Sequence, residues 1–207
     1  MKKSPLMIAL LAIVGIIVFG GLIVFFLTKG YYNNMVTKEE GVEAQWAQVE
    51  NVYQRKYDLI PNLVSVAKNY AEFEQETLTQ VTEARSKATS INISAENLTP
   101  EQMAQFEQAQ SQLNSSLGRL IASFERYPDL KANQNYLKLQ DELSGSENRI
   151  STERRRFNEV VRDYNTYIRK FPQNIFAGLF GFERKALFEN EEAAEGGQVD
   201  VDELFNE

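Results

Sequence analysis

The chain has 207 residues and a net charge of −7, and it contains neither histidine nor cysteine. The lack of cysteine excludes disulfides and thiolate chemistry, and the lack of histidine removes the commonest general base and metal ligand. The acidic balance argues against a nucleic-acid-binding surface, because such surfaces cluster lysine and arginine. The length allows one domain beside other segments.

Residues 6–27, LMIALLAIVGIIVFGGLIVFFL, contain no charged side chain. The run is long enough to cross a bilayer, which takes about 20 apolar residues. Lysines precede it, and Lys29, Tyr31 and Tyr32 follow it, as anchors at a membrane surface do. The alternative is a cleaved signal peptide, whose apolar region would span only about 7–15 residues and end in small ones. The run therefore predicts a single-pass anchor in the cell membrane over residues 1–30, with the lipid bilayer as partner.

The lysines on the two sides of this run nearly balance, with Lys2 and Lys3 before it and Lys29 and Lys38 after it. The excess of positive charge that marks the cytoplasmic side is therefore small. We expect a cytoplasmic N-terminus with the larger part of the chain outside the cytoplasm. The absence of cysteine agrees with this orientation without deciding it.

The first helix after the anchor is predicted from residues 37–40, TKEE, which have the spacing of a capping box. Pro61 removes a backbone donor, so the helix is expected to kink there or to restart with Asp58 as its cap. A second apolar stripe then runs from Leu63 to about Ala88. The apolar face of the first part comprises Val42, Trp46, Val49, Tyr53, Tyr57 and Ile60.

The next helix is predicted to start at residues 99–102, TPEQ, after a polar loop over residues 89–99. A threonine cap, a proline at the first helical position and a glutamine three residues after the cap are typical of a helix start. Its apolar face comprises Met103, Phe106, Leu113, Leu117, Leu120 and Phe124, and a tight corner follows at residues 126–129.

The longest helix is predicted over Leu130 to Phe171, where no proline interrupts the chain. Apolar residues repeat there at seven-residue intervals, a pattern that keeps one seam facing other helices. About 40 residues of helix extend about 60 Å, so this helix exceeds its shorter neighbours, and an antiparallel bundle of three to four segments follows. The repeat comprises Tyr136, Leu143, Ile150, Phe157, Tyr164 and Phe171.

The uncovered end of this helix is a candidate interaction surface. If the preceding helix runs on past Pro61, Phe157, Tyr164, Tyr167 and Phe171 are left exposed and favour contact with a second copy of the chain. A chain reversal at Pro61 would cover them instead.

The segment after Pro172 is strongly apolar, and it adds Phe176, Phe180 and Phe182 to the candidate interaction residues. It either packs back on the bundle or contacts a partner or the membrane surface, with Arg184 and Lys185 near anionic headgroups. The bundle is thus expected over residues 31–188. Residues 189–207 hold eight acidic residues and no basic ones and are expected to be a disordered tail.

Several short motifs along the chain resemble the LemA family. They are DLIPNLV at 58–64, VTEARS at 81–86, YPDLKAN at 127–133, ENRI at 147–150, RRRFNEVVRDYN at 154–165, FP at 171–172 and FGFERKALFE at 180–189. They occur in the family's order and cover roughly residues 31–189, without the acidic tail. The resemblance implies a membrane-anchored helical bundle without an assigned activity, and it implies no catalytic residues.

The residues indicate no enzyme, no cofactor and no metal. Glu147 and Glu153 are the only candidates for a buried carboxylate pair, and a helical carboxylate metal site would normally add a histidine. We therefore expect a membrane-anchored scaffold or interaction module that associates with itself. The alternative is an adaptor or regulator of another membrane protein complex, such as a membrane-bound protease or a sensor.

Overall fold

The computed structural model describes residues 5–69, 74–95, 98–124, 126–128 and 132–189. The regular elements within these ranges are all helical, as the sequence predicts, and no strand occurs in them. The acidic tail beyond residue 189 lies outside the described residues. Five helices follow one another along the described chain: α1 (Pro5–Lys68), α2 (Gln75–Ser90), α3 (Pro100–Phe124), α4 (Gln134–Arg169) and α5 (Gln173–Phe180).

Helix α1 is continuous from the apolar run into the helical bundle. The predicted helix start at Thr37 is therefore wrong. Thr37 Oγ1 donates a hydrogen bond to the carbonyl of Asn33 at 2.9 Å, one turn back in the same helix, instead of capping a new one. A helix that has already formed needs no cap at this point.

Pro61 lies inside α1 without ending it, so the predicted restart at this residue is also wrong. Proline has no N–H, which leaves the carbonyl of Tyr57, four residues earlier, without its helical donor. Arg85 of α2 replaces that donor, because its Nε lies 2.8 Å from the Tyr57 carbonyl oxygen. Asp58 does not cap a helix either; it accepts a bond from Gln54 Nε2 within α1.

The chain reverses between Lys68 and Gln75, which corrects the single stripe predicted from Leu63 to Ala88. Tyr57 and Arg85 are 28 residues apart and would lie about 42 Å apart in one helix, yet they share a hydrogen bond. The reversal lets α2 return along α1. Both halves of the predicted stripe remain buried, at Leu63, Ala67, Leu78, Val81 and Ala88.

Helix α4 confirms the seven-residue repeat. Five of its positions are at most 6% exposed: Tyr136, Leu143, Ile150, Phe157 and Tyr164. The sixth, Phe171, follows the end of the helix at Arg169 and is 80% exposed. The repeat thus marks a buried seam only as far as the chain stays helical.

The contacts divide the chain into two compact units. The first comprises the described parts of Met1–Ala44 and Val160–Arg184, and the second those of Gln45–Glu159 and Lys185–Glu207. In the second unit α1 and α4 run antiparallel, as Gln45–Glu153 and Lys56–Glu147 show, and in the first unit α1 contacts α4 through Lys38–Asp163 and α5 through Tyr31–Phe176. In the second unit α2 and α3 are also antiparallel, since Lys87 bonds Gln112 and Glu74 pairs with Arg126.

The start of α1 is the most exposed apolar part of the structure. From Leu10 to Leu27, the described side chains of the apolar run lie at the surface, and Ile16 is 72% exposed. Of the helices in the described residues, α1 is the one that is long and apolar enough to cross a membrane. Further along, from Met35, which is fully buried, α1 contributes to the core.

Candidate interaction surface

Four aromatic rings from four parts of the chain form the centre of the second unit. Trp46 of α1 lies 5.7 Å from the ring centroid of Phe106 in α3 and 5.4 Å from that of Phe157 in α4. Phe188, from the segment after α5, stacks on Trp46 at 5.9 Å. Such edge and stacked pairs add to the free energy gained from burial. Phe157 is therefore a core residue and not a contact for a second copy.

The segment after α5 returns to the second unit and is held there by its backbone. Asn158 bonds both the N–H and the carbonyl of Phe188, at 2.9 and 3.0 Å. The N–H of Ala186 donates to the carbonyl of Leu98 at 2.9 Å. Packing back on the bundle is thus confirmed for this segment. Lys185 is only 8% exposed, so the expectation that it meets lipid headgroups is wrong.

Several buried polar groups of the second unit are paired, although Gln110 Oε1 is buried without a hydrogen-bond partner. Lys56 is fully buried; its Nζ lies 2.5 Å from Glu147 Oε1 and also donates to Asn114 Oδ1. Burial raises the pKa of Tyr57, whose hydroxyl accepts a bond from Gln110 Nε2. Burial likewise raises the pKa of the Tyr53 phenol above its ordinary value.

The two carboxylates considered for metal binding have other partners. Glu147 pairs with Lys56, and Glu153 accepts bonds from Gln45 Nε2 and Arg156 Nη1, each at 2.8 Å. No group of acidic residues that could hold a metal ion occurs in the described part of the chain. Glu147 and Glu153 thus connect α4 to α1 through Lys56 and Gln45, and Glu153 also pairs with Arg156 within α4.

The first unit uses two of the predicted interaction residues in its own packing. Tyr164 is fully buried, and its hydroxyl donates to the carbonyl of Glu183 at 2.9 Å. Burial raises the pKa of this phenol, and the neighbouring carboxylate of Glu39 raises it further. Tyr167 is half-buried, and the Lys38 ammonium lies 5.3 Å from its ring centroid. Neither tyrosine is a free contact surface.

Helix α5 packs on α1 just beyond the apolar run. Phe176 stacks on Tyr31 at 5.4 Å, and Phe180 meets Tyr32 edge-on at 5.0 Å. Gly181 ends α5 with a φ of 77°, a left-handed conformation that favours glycine. The turn brings Phe182 back to within 5.8 Å of Tyr32. Three predicted interaction residues, Phe176, Phe180 and Phe182, are thus anchored to two tyrosines.

The outer side of α5 carries large apolar side chains at the surface. Phe171, Ile175 and Leu179 stand four residues apart and are 80%, 57% and 73% exposed; Phe180 beside them is 42% exposed. Ile175 and Leu179 therefore lie along one face of α5, whereas Phe171 precedes this helix, which begins at Gln173. Beyond the apolar run, the other large hydrophobic side chains exposed in the described residues are Tyr32 and Leu137. We call Phe171, Ile175, Leu179 and Phe180 the α5 face.

The predicted set and the observed surface overlap only in Phe171 and Phe180. The whole segment after Pro172 was considered for contact with a partner or the membrane, but only its phenylalanines were singled out. The four-residue spacing of Ile175 and Leu179 was the available signal for the helix face.

Comparisons with known proteins agree with the helical architecture. A family model described as the LemA family matches residues 45–202. Protein LemA of Metamycoplasma hominis is 29% identical over 180 residues, covering 87% of this chain and 77% of that protein. Magnetosome protein MamQ 2 of Paramagnetospirillum magneticum is 28% identical over 197 residues, covering 85% and 71%. Magnetosome protein MamQ of Magnetospirillum gryphiswaldense is 26% identical over 193 residues, with the same coverage.

The range of the family match differs from that of the sequence motifs. It ends at residue 202 and so includes most of the acidic tail, which the motifs had left outside the resemblance. The match extends over well more than half of the chain, and the motifs fall in order within or beside it. The protein belongs to the LemA family.

Proposed function

We propose that the protein is a membrane-anchored helical scaffold that crosses the bilayer once and acts by associating with other copies of itself at the membrane. The observation behind this proposal is the single helix α1. Its described side chains from Leu10 to Leu27 are exposed, and from Met35 onward it contributes side chains to the core. A helix with an apolar surface of this length is stable in lipid, because its backbone groups are bonded internally.

The family supports the coarser part of this proposal, a membrane-associated helical protein. None of the relatives reported above is named for a reaction. This agrees with a role in binding. The paired carboxylates of the second unit likewise support ion-paired packing over catalysis.

The proposal includes an orientation, with the N-terminus in the cytoplasm and the helical bundle outside it. Because the natural chain has no cysteine, a single Gln105→Cys substitution at an exposed position of α3 gives a unique label site. A maleimide that cannot cross membranes should label intact cells at this site. Labelling only after lysis would show the opposite orientation, with the helical bundle in the cytoplasm.

Self-association belongs to the proposal, but not through Phe157 and Tyr164, which lie in the core. Anchoring concentrates copies in the membrane and lowers the entropic cost of their association. Cross-linking in native membranes, followed by mass determination, tests this point. Products that contain only this chain support the scaffold, whereas one foreign protein in fixed stoichiometry supports the adaptor and contradicts the scaffold.

The anchor itself is tested by extraction. The full chain should remain in the membrane fraction through washes with high salt and alkaline carbonate, with its N-terminus at or just after Met1. A soluble product beginning near residue 30 would show that the apolar run is a cleaved leader and would refute the proposal.

A further inference from the structure

We infer that α5 is a membrane-surface helix, and that its exposed face (Phe171, Ile175, Leu179 and Phe180) inserts into the lipid layer beside the point where α1 leaves the bilayer. This inference rests on the proposed anchor. It assigns the α5 face to lipid and so gives the protein a second attachment to the membrane.

The position of α5 along α1 is the first argument. Tyr31 and Tyr32 follow the last apolar residue of the run, Leu27, by four and five residues, or about 6–8 Å of helix. The interfacial layer on each side of the hydrocarbon core is about 5–8 Å thick. The two tyrosines therefore lie in that layer, where tyrosine and tryptophan are enriched. Because α5 packs directly on their rings, it lies at the same level.

The chemistry of the α5 face is the second argument. Ile175 and Leu179 are more than half exposed on a helix whose other side is fixed to Tyr31 and Tyr32. A helix that lies in the membrane interface buries one apolar face among the headgroups and upper acyl chains. Apolar residues that would be unfavourable in water are favourable at this depth.

The charges around α5 are the third argument. Exposed basic residues of the same unit stand on both sides of it in the sequence, with Arg169 and Lys170 before it and Arg184 after it. Lys29 is also exposed, in α1 between the apolar run and the two tyrosines. Glu183 is an exposed acid next to Arg184, so basic groups predominate. Anionic headgroups attract such groups near the membrane surface.

The size of the face favours lipid over a second copy of the chain. Helix α5 has eight residues and is about 12 Å long, and its face consists of four side chains. A stable protein interface buries roughly 800 Å² on each partner and involves about 20–30 residues. The α5 face is too small for that, whereas insertion into lipid needs no complementary surface.

The experiment measures the depth of labels in reconstituted vesicles. The full chain receives a single cysteine as Leu179→Cys, Arg162→Cys or Ile16→Cys, and each carries the same environment-sensitive fluorophore. Arg162 is the matched control, since it is exposed and belongs to the same unit. Its neighbour Asp163 pairs with Lys38, which lies about 16 Å of helix beyond Leu27 and so outside the interface. The vesicles contain anionic lipid and a nitroxide placed either just below the headgroup or at the bilayer centre.

We expect the shallow nitroxide to quench the label at position 179 and the deep one to quench the label at position 16. The label at 162 should respond to neither and should remain open to iodide in the water. If the label at 179 is as accessible to iodide as the label at 162, the inference is wrong. If it is shielded from iodide without being quenched by either nitroxide, another protein surface covers α5, and the inference is again wrong.

The label at position 16 separates this inference from the proposed anchor. Deep quenching at 16 without shallow quenching at 179 would leave the anchor intact and overturn only the role of α5. Loss of deep quenching at 16 would overturn the anchor. A second full-chain variant, Leu179→Gln with Ile175→Gln, tests for misfolding of the labelled protein. Because both side chains are already exposed, it should keep the helical signal of the unsubstituted chain in the same vesicles.

Discussion

Asn158 bonds both backbone groups of Phe188: its Nδ2 donates to the Phe188 carbonyl at 3.0 Å, and its Oδ1 accepts from the Phe188 N–H at 2.9 Å. One side chain of α4 thereby satisfies a backbone that has no helix or sheet partner of its own. The bond pair positions the Phe188 ring between Trp46 and the Arg154 guanidinium, which lies 4.6 Å from the ring centroid. The segment after α5 is therefore part of the core as far as Phe188.

The first prediction concerns this bond pair. Asn158→Ala leaves a buried N–H and a buried carbonyl without partners, at a cost of about 1–3 kcal/mol each. We expect a lower free energy of unfolding and faster proteolysis after residue 182, measured on the full chain in mild detergent. Asn148→Ala, at an exposed position of the same helix, should change neither quantity. Equal proteolysis of the two variants would show that the bonds do not hold the segment.

The second prediction compares two phenylalanines of the same seven-residue repeat. Phe157 is fully buried against Trp46, so Phe157→Ala should lower the free energy of unfolding by about 3–5 kcal/mol. Phe171 is 80% exposed, so Phe171→Ala should change the free energy of unfolding by less than about 0.5 kcal/mol. Denaturation followed by the fluorescence of Trp46, the only tryptophan, measures both. Similar losses for the two variants would contradict the assigned burial.

The third prediction concerns the buried lysine. Glu147→Gln leaves the Lys56 ammonium buried without its carboxylate, whereas Lys56→Met removes the charge and keeps the length of the side chain. Glu147 is 44% exposed, and water can solvate it when Lys56 is replaced. We expect Glu147→Gln to destabilise the protein by about 1–3 kcal/mol and Lys56→Met to cost less. Glu159→Gln, at an exposed site of the same helix, is the control. A larger loss of stability in Lys56→Met than in Glu147→Gln would contradict the prediction.

The fourth prediction is a coupling between Pro61 and Arg85. Arg85→Met leaves the Tyr57 carbonyl without a donor and should cost about 1–3 kcal/mol. Pro61→Ala supplies an N–H for the same carbonyl, so Arg85→Met should cost less in that background. A double-mutant cycle on the unfolding free energy measures the difference. Strict additivity would mean that Arg85 does not compensate for the proline.

The fifth prediction concerns alkaline pH. The pKa of Tyr53 is raised by burial above its ordinary value of 10.0, so the unfolded chain loses this proton at lower pH than the folded one. The neutral Tyr53 phenol therefore makes its full contribution to the stability of the fold below pH 10.0, and this contribution decreases as the pH rises above that value. Unfolding measured across this range should show the decrease, and Tyr53→Phe should make it shallower. An unchanged slope in Tyr53→Phe would contradict the role of burial.

Local patterns explain what could be predicted from the sequence. The seven-residue repeat places Tyr136 and Phe157 on one face of a helix wherever the chain is helical, and Thr99 caps α3 because its hydroxyl lies near the N–H of Gln102, at 3.3 Å. Phe171 departs from the pattern since the helix ends at Arg169. A repeat specifies a face, but it does not specify where the helix stops.

Contacts between distant residues explain what was not predicted. Pro61 predicted a kink or a restart of the helix, whereas the donor that replaces its missing N–H comes from Arg85 in another helix. Phe171 and Phe180 were predicted as interaction residues, but the exposed positions of Ile175 and Leu179 depend on Tyr31 and Tyr32, which hold α5 through Phe176 and Phe180. Pairings of this kind need three-dimensional proximity, which spacing along the chain does not encode.

The continuity of α1 has a mechanical consequence for a chain anchored as proposed. No loop or break separates the apolar run from Met35, Val42 and the other buried residues of the first unit, so that unit cannot swivel on its anchor. A membrane helix adjusts its tilt when the hydrocarbon thickness does not match its apolar length. The first unit must follow any such tilt through the same angle. Bilayer thickness therefore sets the angle at which the first unit stands on the membrane.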